Sequence, residues 1–234
     1  MNKLLTTIVA ASVAVMSFAG TANSIEFKVG VGGTSSAYYA NVQEKLKGSG
    51  KLTHEEAAAA FSYMTGFAEV AFDEAYGITL GIEWSPESIK LDKATRTIQT
   101  NGHAETRADD DGESTGDQVM EASFKDLMNI YVAIPVMGSG LNLKAGYMSA
   151  KLTTKEILST GSTYGNKTVN GGTVGMFYDG DIGSNAFYRI EGAYNSFEDI
   201  TMRGSEAHTV QGDFNVISAE LTGVAAKVSV GMKF

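Results

Sequence analysis

The chain has 234 residues, with 18 Lys and Arg against 27 Asp and Glu, giving a formal charge of −9 at pH 7. A surplus of that sign excludes the nucleic-acid backbone as a partner, and the lack of any Cys excludes a disulfide framework and thiolate chemistry. Two Pro against 27 Gly fit a chain of many strands, because Pro cannot donate to a ladder while Gly serves turns and close backbone packing.

Lys3 precedes an apolar run of small residues over 4–19 and then Gly20-Thr21-Ala22, a small-x-small cleavage site before Asn23. The run is shorter than the roughly 20 residues of a spanning helix. Residues 1–22 are therefore expected to be a signal peptide, and residues 23–234 one domain. No later apolar run approaches a spanning helix, so a membrane-embedded chain would cross as strands.

In the segment 25–42, Ile25, Phe27, Val29 and Val31 alternate with Glu26, Lys28 and Gly30, which predicts a strand. Residues 43–56 read as a polar connection. The stretch 57–72 fits two patterns. Phe61, Met64, Ala68 and Ala71 have helical spacing behind Thr53-His54-Glu55-Glu56, which looks like a capping box. Gly66 and the content of Phe61, Tyr63, Phe67, Val70 and Phe72 favour a strand. Asp73-Glu74-Ala75 is a turn. Tyr76, Ile78, Leu80, Ile82 and Trp84 then alternate with Gly77, Thr79, Gly81 and Glu83. Pro86 interrupts that strand, a looser extension runs to about Gln99, and 101–118 is a long acidic connection.

Phe124, Met128, Ile130, Val132, Ile134 and Val136 share a parity and predict a strand over 122–136, closed by the turn Met137-Gly138-Ser139-Gly140. Leu141, Leu143, Ala145 and Tyr147 oppose Asn142, Lys144, Gly146 and Met148, and 153–167 is a polar loop. Val174, Met176 and Tyr178 share a face of 168–179, and 180–185 is a turn. Tyr188, Ile190 and Tyr194 oppose Arg189, Glu191 and Asn195, and 201–213 is again polar. In the last strand, 214–234, Ala226, Val228, Val230, Met232 and Phe234 face away from Lys227, Ser229, Gly231 and Lys233.

Eight strands joined alternately by long polar loops and short turns predict an all-β fold, an eight-stranded antiparallel transmembrane β-barrel with an apolar exterior. The alternative is ten strands; a helical 57–72 would in turn require splitting the region around Pro86 to keep an even count. Phe27, Phe72, Tyr76, Tyr178, Phe187, Tyr188 and Phe234 fall near the termini and short turns and suit one aromatic girdle; Tyr38, Tyr39, Trp84, Tyr147 and Tyr194 suit the other.

The parity puts Glu26, Lys28, Glu69, Glu83, Lys144, Arg189, Glu191 and Lys227 inside the barrel, with Lys233 at its rim. An eight-stranded lumen is just wide enough to be filled by side chains. These charges are expected to pair and close it, with Lys144, Arg189 and Lys227 meeting Glu69, Glu83 and Glu191 across the axis. The alternative is a narrow channel, supported by the space that many inward Gly leave. The acidic stretch from Glu105 to Asp117 lacks EF-hand spacing and reads as a solvated loop. His54, His103 and His208 all fall in polar loops, His103 near Glu105 and His208 near Glu206, as chance allows. No metal site, cofactor or enzymatic activity is expected.

By its leader, its loop-and-turn alternation and the ending Val228-Ser229-Val230-Gly231-Met232-Lys233-Phe234, the chain resembles the small outer-membrane barrels of the OmpA transmembrane-domain and OmpX-like group. More loosely, it is similar to the small porin-like proteins of marine alphaproteobacteria. The resemblance implies the outer membrane as location, with lipid and lipopolysaccharide as surroundings. It implies a structural and surface-contact role, with loops open to a ligand or phage. It also implies that the barrel-assembly machinery reads Val228, Val230, Met232 and Phe234. A peptidoglycan-binding domain is not expected after the barrel.

Overall fold

The computed structural model describes residues 25–45, 47, 50, 52–72, 77–86, 89–90, 94–98, 116–136, 139–157, 163–207 and 212–234. The leader, the turn at Asp73-Glu74-Ala75, Tyr76, the acidic stretch over 105–115, Met137, Gly138, His103 and His208 lie outside the described residues.

Eleven strands form one antiparallel sheet. They are β1 (Ile25–Lys45), β2 (Leu52–Phe72), β3 (Ile78–Ser85), β4 (Ile89–Lys90), β5 (Ala94–Ile98), β6 (Gly116–Pro135), β7 (Leu141–Ile157), β8 (Lys167–Ile182), β9 (Ala186–Phe197), β10 (Ile200–Ala207) and β11 (Phe214–Lys233). β3, β4 and β5 all pair with β6, as successive pieces of one stave. β9 and β10 both pair with β11 and make another. The sheet closes when β1 pairs with β11 as well as with β2, so the ring has eight staves. The strand reading of 57–72 holds, and the split at Pro86 adds no stave.

The pairing register fixes the barrel's geometry. Passing from strand to strand, Lys28 pairs with Glu69, Glu69 with Gly81, Gly81 with Tyr131, and Tyr131 with Gly146. Gly146 pairs with Thr173, Thr173 with Asn195, Asn195 with Gly223, and Gly223 with Tyr38, ten residues beyond the start. Eight staves with that stagger tilt by about 40°, so each residue climbs about 2.5 Å along the axis.

Several sequence expectations change. The hairpin of β1 and β2 runs on through the supposed polar connection to Lys45 and Leu52, which pair. β7 continues to Ile157, and β10 occupies most of the supposed loop over 201–213. These extensions lack an apolar outer face, so the alternation signal fades although the backbone ladder continues. Phe124 does not share a face with Met128. The register of β6 against β7 slips by one residue between Lys125 and Met128, where Asp126 has φ +53°. That bulge flips the parity, turning Phe124 inward and Met128 outward. Tyr38 and Phe187 also face inward, 6% and 1% exposed, and belong to neither girdle. Phe27, Phe72, Trp84, Tyr147, Tyr178, Tyr188 and Tyr194 keep the outward parity assigned to them.

Candidate functional site in the barrel lumen

The lower barrel is inverted relative to a water-soluble sheet. Its outer wall carries Leu80, Ile82, Ile130, Leu143, Val174, Ile190, Val228 and Val230, each well exposed, with Val228 at 62%. A continuous apolar band of this extent on a soluble monomer would be a large association surface; facing lipid it needs no cover. Its inner wall carries the charges.

Arg189, fully buried, holds the lowest layer together. Its Nη1 and Nη2 donate to the Glu69 carboxylate at 2.5 and 2.8 Å, and its Nε and Nη2 donate to Asp179 at 2.6 and 2.8 Å. The guanidinium also lies 3.7 Å from the Phe177 ring centroid and 4.8 Å from that of Phe67. Tyr131 Oη donates to Glu69 at 2.5 Å. Lys28 lies 3.3 Å from both Asp179 and Glu26. A planar cation between two bidentate carboxylates and two ring faces uses every property that distinguishes Arg from Lys.

The next layer is a closed four-membered ring of alternating charge. Lys144 Nζ donates to Glu83 at 2.8 Å and to Glu191 at 2.7 Å. Lys227 bonds Glu83 and lies 2.7 Å from Glu191 Oε2, an ion-pair approach without hydrogen-bond alignment. Asn129 Nδ2 donates to Glu83 at 3.1 Å, and Lys144 sits 4.1 Å from the Tyr131 ring centroid. Across the two layers, Lys28, Lys144, Arg189 and Lys227 pair with Glu69, Glu83, Asp179 and Glu191, and Glu26 is a fifth carboxylate beside Lys28 at the open end. Pairing of this kind offsets the desolvation of buried charge only when every member is present.

Above the ring lies a chamber of about 50 Å³ with mixed walls, Thr34, Thr65, Ser85, Asn129, Thr173 and Asn195 among Tyr63, Leu127 and Met148. Thr34 and Thr65 share a 3.1 Å hydrogen bond, and Asn195 donates to Tyr38 Oη at 2.9 Å. Ser85 Oγ and Asn129 Oδ1 are buried without a protein partner. A volume of this size accommodates a few waters to satisfy them.

Higher still the interior becomes apolar. Tyr38, Ile89, Phe124, Met148, Ala150, Leu152, Val169, Phe197 and Leu221 form one buried cluster. Tyr38 stacks on Phe61 at 5.4 Å, and Phe124 on Phe197 at 5.7 Å. The outward residues beside them are Ser149, Lys151 and Lys125 on one side and Thr222 and Glu220 on the other, where the lower wall has Leu, Ile and Val. The barrel thus reverses its polarity part way up, from apolar outside and charged inside to the pattern of a soluble β-barrel. The reversal follows the two solvents, hydrocarbon below and water above.

The structure brings together all eight lumen charges expected from the sequence, Glu26 and Lys28 at the open end. It adds Asp179, which the sequence reading placed at a strand end; the parity it shares with inward Phe177 was the available signal. The space beside three inward glycines is taken by aromatic rings. A Cβ on Gly81 would fall on the Tyr131 ring, one on Gly30 on Phe67, and one on Gly223 on Tyr38. Each is the direct cross-strand partner of that aromatic. At these three positions the expected spare space is occupied: the glycines are absent side chains into which neighbouring rings are folded. Lys233 pairs with Asp181 at 2.6 Å at the rim. Among the described residues, His54 meets Gln43 at 3.3 Å, and no group of three potential metal ligands occurs.

No protein-family model matches this chain, and no curated relative does. Solved structures do resemble it. The outer membrane protein OprG from Pseudomonas aeruginosa is 12% identical, with 90% of this chain and 96% of that one covered and a TM-score of 0.47. The outer membrane protein AlkL, solved in lipid bilayers, is 10% identical over 92% and 93% at a TM-score of 0.48. The outer membrane protease OmpT from Escherichia coli is 11% identical over 92% and 98% at 0.43. These neighbours are outer-membrane β-barrel proteins; at such similarity the functional reading rests on the chain's own residues.

Proposed function

We propose that the protein is a small outer-membrane barrel with a closed lumen and a structural and surface-contact role. The observation that carries this is the ring of Lys144, Glu83, Lys227 and Glu191 inside an apolar outer wall. In this reading residues 1–22 export the chain. The assembly machinery recognises Val228, Val230, Met232 and Phe234. The projecting hairpins meet lipopolysaccharide, a surface ligand or a phage. The eight-stave ring supports a small outer-membrane barrel; the likeness to the OmpA and OmpX group, and to the porin-like proteins of marine alphaproteobacteria, rests on the sequence pattern. No catalytic step is assigned to any residue.

Planar-bilayer recording of the purified protein tests the closed lumen. No unitary conductance is expected, and discrete ion-conducting steps overturn the reading. The chamber above the ring favours a second reading, a narrow channel for ions or small solutes, which the same recording decides.

A further inference from the structure

Just above the apolar band, the outer wall of β6 and β7 carries two lysines in direct opposition. Lys125 pairs with Lys151 across the ladder, and both are exposed. Like charges directly opposite one another destabilise a sheet. Among the described residues neither lysine forms an ion pair. The bulge creates this arrangement, since it presents Lys125 outward one step above Met128. Among the described residues, Asp126, exposed within the bulge, Lys155, exposed four residues higher on β7, and Glu198 are nearby exposed charges, and Glu121 is the register partner of Lys155.

Below Lys151 the wall is hollowed. Ala145, Tyr147, Gly172, Val174 and Tyr194 line an open, mostly apolar trough. Its floor is Gly172, where the nearest atom to an added Cβ would be the Gly146 carbonyl oxygen at 3.9 Å. Ser196 and the exposed Glu198 form its upper rim. Lys151 lies four residues beyond Tyr147, about 10 Å higher along the axis. That is the step from an interfacial aromatic to the headgroup layer.

We propose that this face binds a phosphorylated lipid of the outer leaflet, its phosphomonoester held between Lys125 and Lys151 and an acyl chain lying in the trough between Tyr147 and Tyr194. A phosphomonoester carries about −1.5 to −2 charges near neutrality, which matches the two lysines and removes their mutual repulsion. The inference rests on the outer-membrane reading and names the partner of one side of the barrel.

The test uses the full mature chain refolded in phosphatidylcholine vesicles doped with diphosphorylated lipid A, with dephosphorylated lipid A in a parallel sample. Co-purifying lipid is measured by native mass spectrometry. Retention of the phosphorylated lipid is expected, falling roughly tenfold or more in Lys125→Gln/Lys151→Gln, given about 1 kcal/mol per lysine at a charged interface. The dephosphorylated lipid is expected to be retained as weakly as by that variant, and Lys125→Arg/Lys151→Arg is expected to retain the phosphorylated form. Equal retention by wild type and the Gln variant overturns the proposal, as does displacement by inorganic phosphate alone, which would show a free-anion site without the chain. Wild-type protein that does not insert into the vesicles overturns the outer-membrane reading instead.

Discussion

Phe234 and Phe27 exchange both of their backbone hydrogen bonds, Phe234 N–H to Phe27 O at 2.9 Å and Phe27 N–H to Phe234 O at 3.1 Å. The last rung of the seam between β11 and β1 is made by these two aromatics. Removing Phe234 therefore deletes two hydrogen bonds and one girdle ring, a small loss beside the eighteen registered residue pairs of that seam. Deletion of Phe234 is expected to lower outer-membrane levels in cell fractionation severely, while urea midpoints of protein refolded in vitro move little. Undiminished membrane levels would remove the assembly role of the ending.

Arg189→Met leaves Glu69 fully buried without its cation, while Asp179 keeps Lys28 at 3.3 Å. Breaking one side of a buried pair costs roughly 3–5 kcal/mol. Urea unfolding of the refolded barrel is expected to show a loss of that size, and Arg189→Met/Glu69→Gln is expected to recover part of it. A loss within the range of a surface substitution would mean that water reaches the guanidinium.

Gly81→Val places a side chain where the Tyr131 ring lies. Overpacking of this kind costs roughly 1–3 kcal/mol. Tyr131→Ala in the same chain is expected to relieve the clash, giving a double-mutant coupling of the favourable sign. Additive losses would show that the ring does not depend on the glycine.

In the proposed closed-lumen reading, the charged layers and the apolar cluster act as two barriers in series. Clearing the cluster with Phe124→Ala/Phe197→Ala is expected to leave the barrel non-conducting in a planar bilayer, because the ring of Lys144, Glu83, Lys227 and Glu191 still blocks the path. Conductance from that variant alone would place the only barrier among the aromatics.

Leu152→Asp puts a charge into the apolar cluster above the band, 5% exposed in the native barrel. Trypsin is expected to cut the projecting hairpins faster, while gel migration of unboiled protein still reports a closed barrel below. Loss of both together would mean that the two halves fold as one cooperative unit.

The sequence by itself determined the barrel. Alternation is a local property, and each strand of the lower wall reports its two faces residue by residue; Val228 and Lys227 are opposed by period 2 whatever surrounds them. The inward charges of the lower wall were legible for the same reason. Three things were decided by tertiary structure alone. Which carboxylate meets which cation depends on the ten-residue stagger around the ring, so Glu69 and Arg189 meet through a quantity that no single segment contains. The face on which Phe124 lies depends on a bulge, because one inserted residue reverses parity. The turnover from charged to apolar interior depends on where hydrocarbon gives way to water outside, and that boundary is set by the closed barrel as a whole.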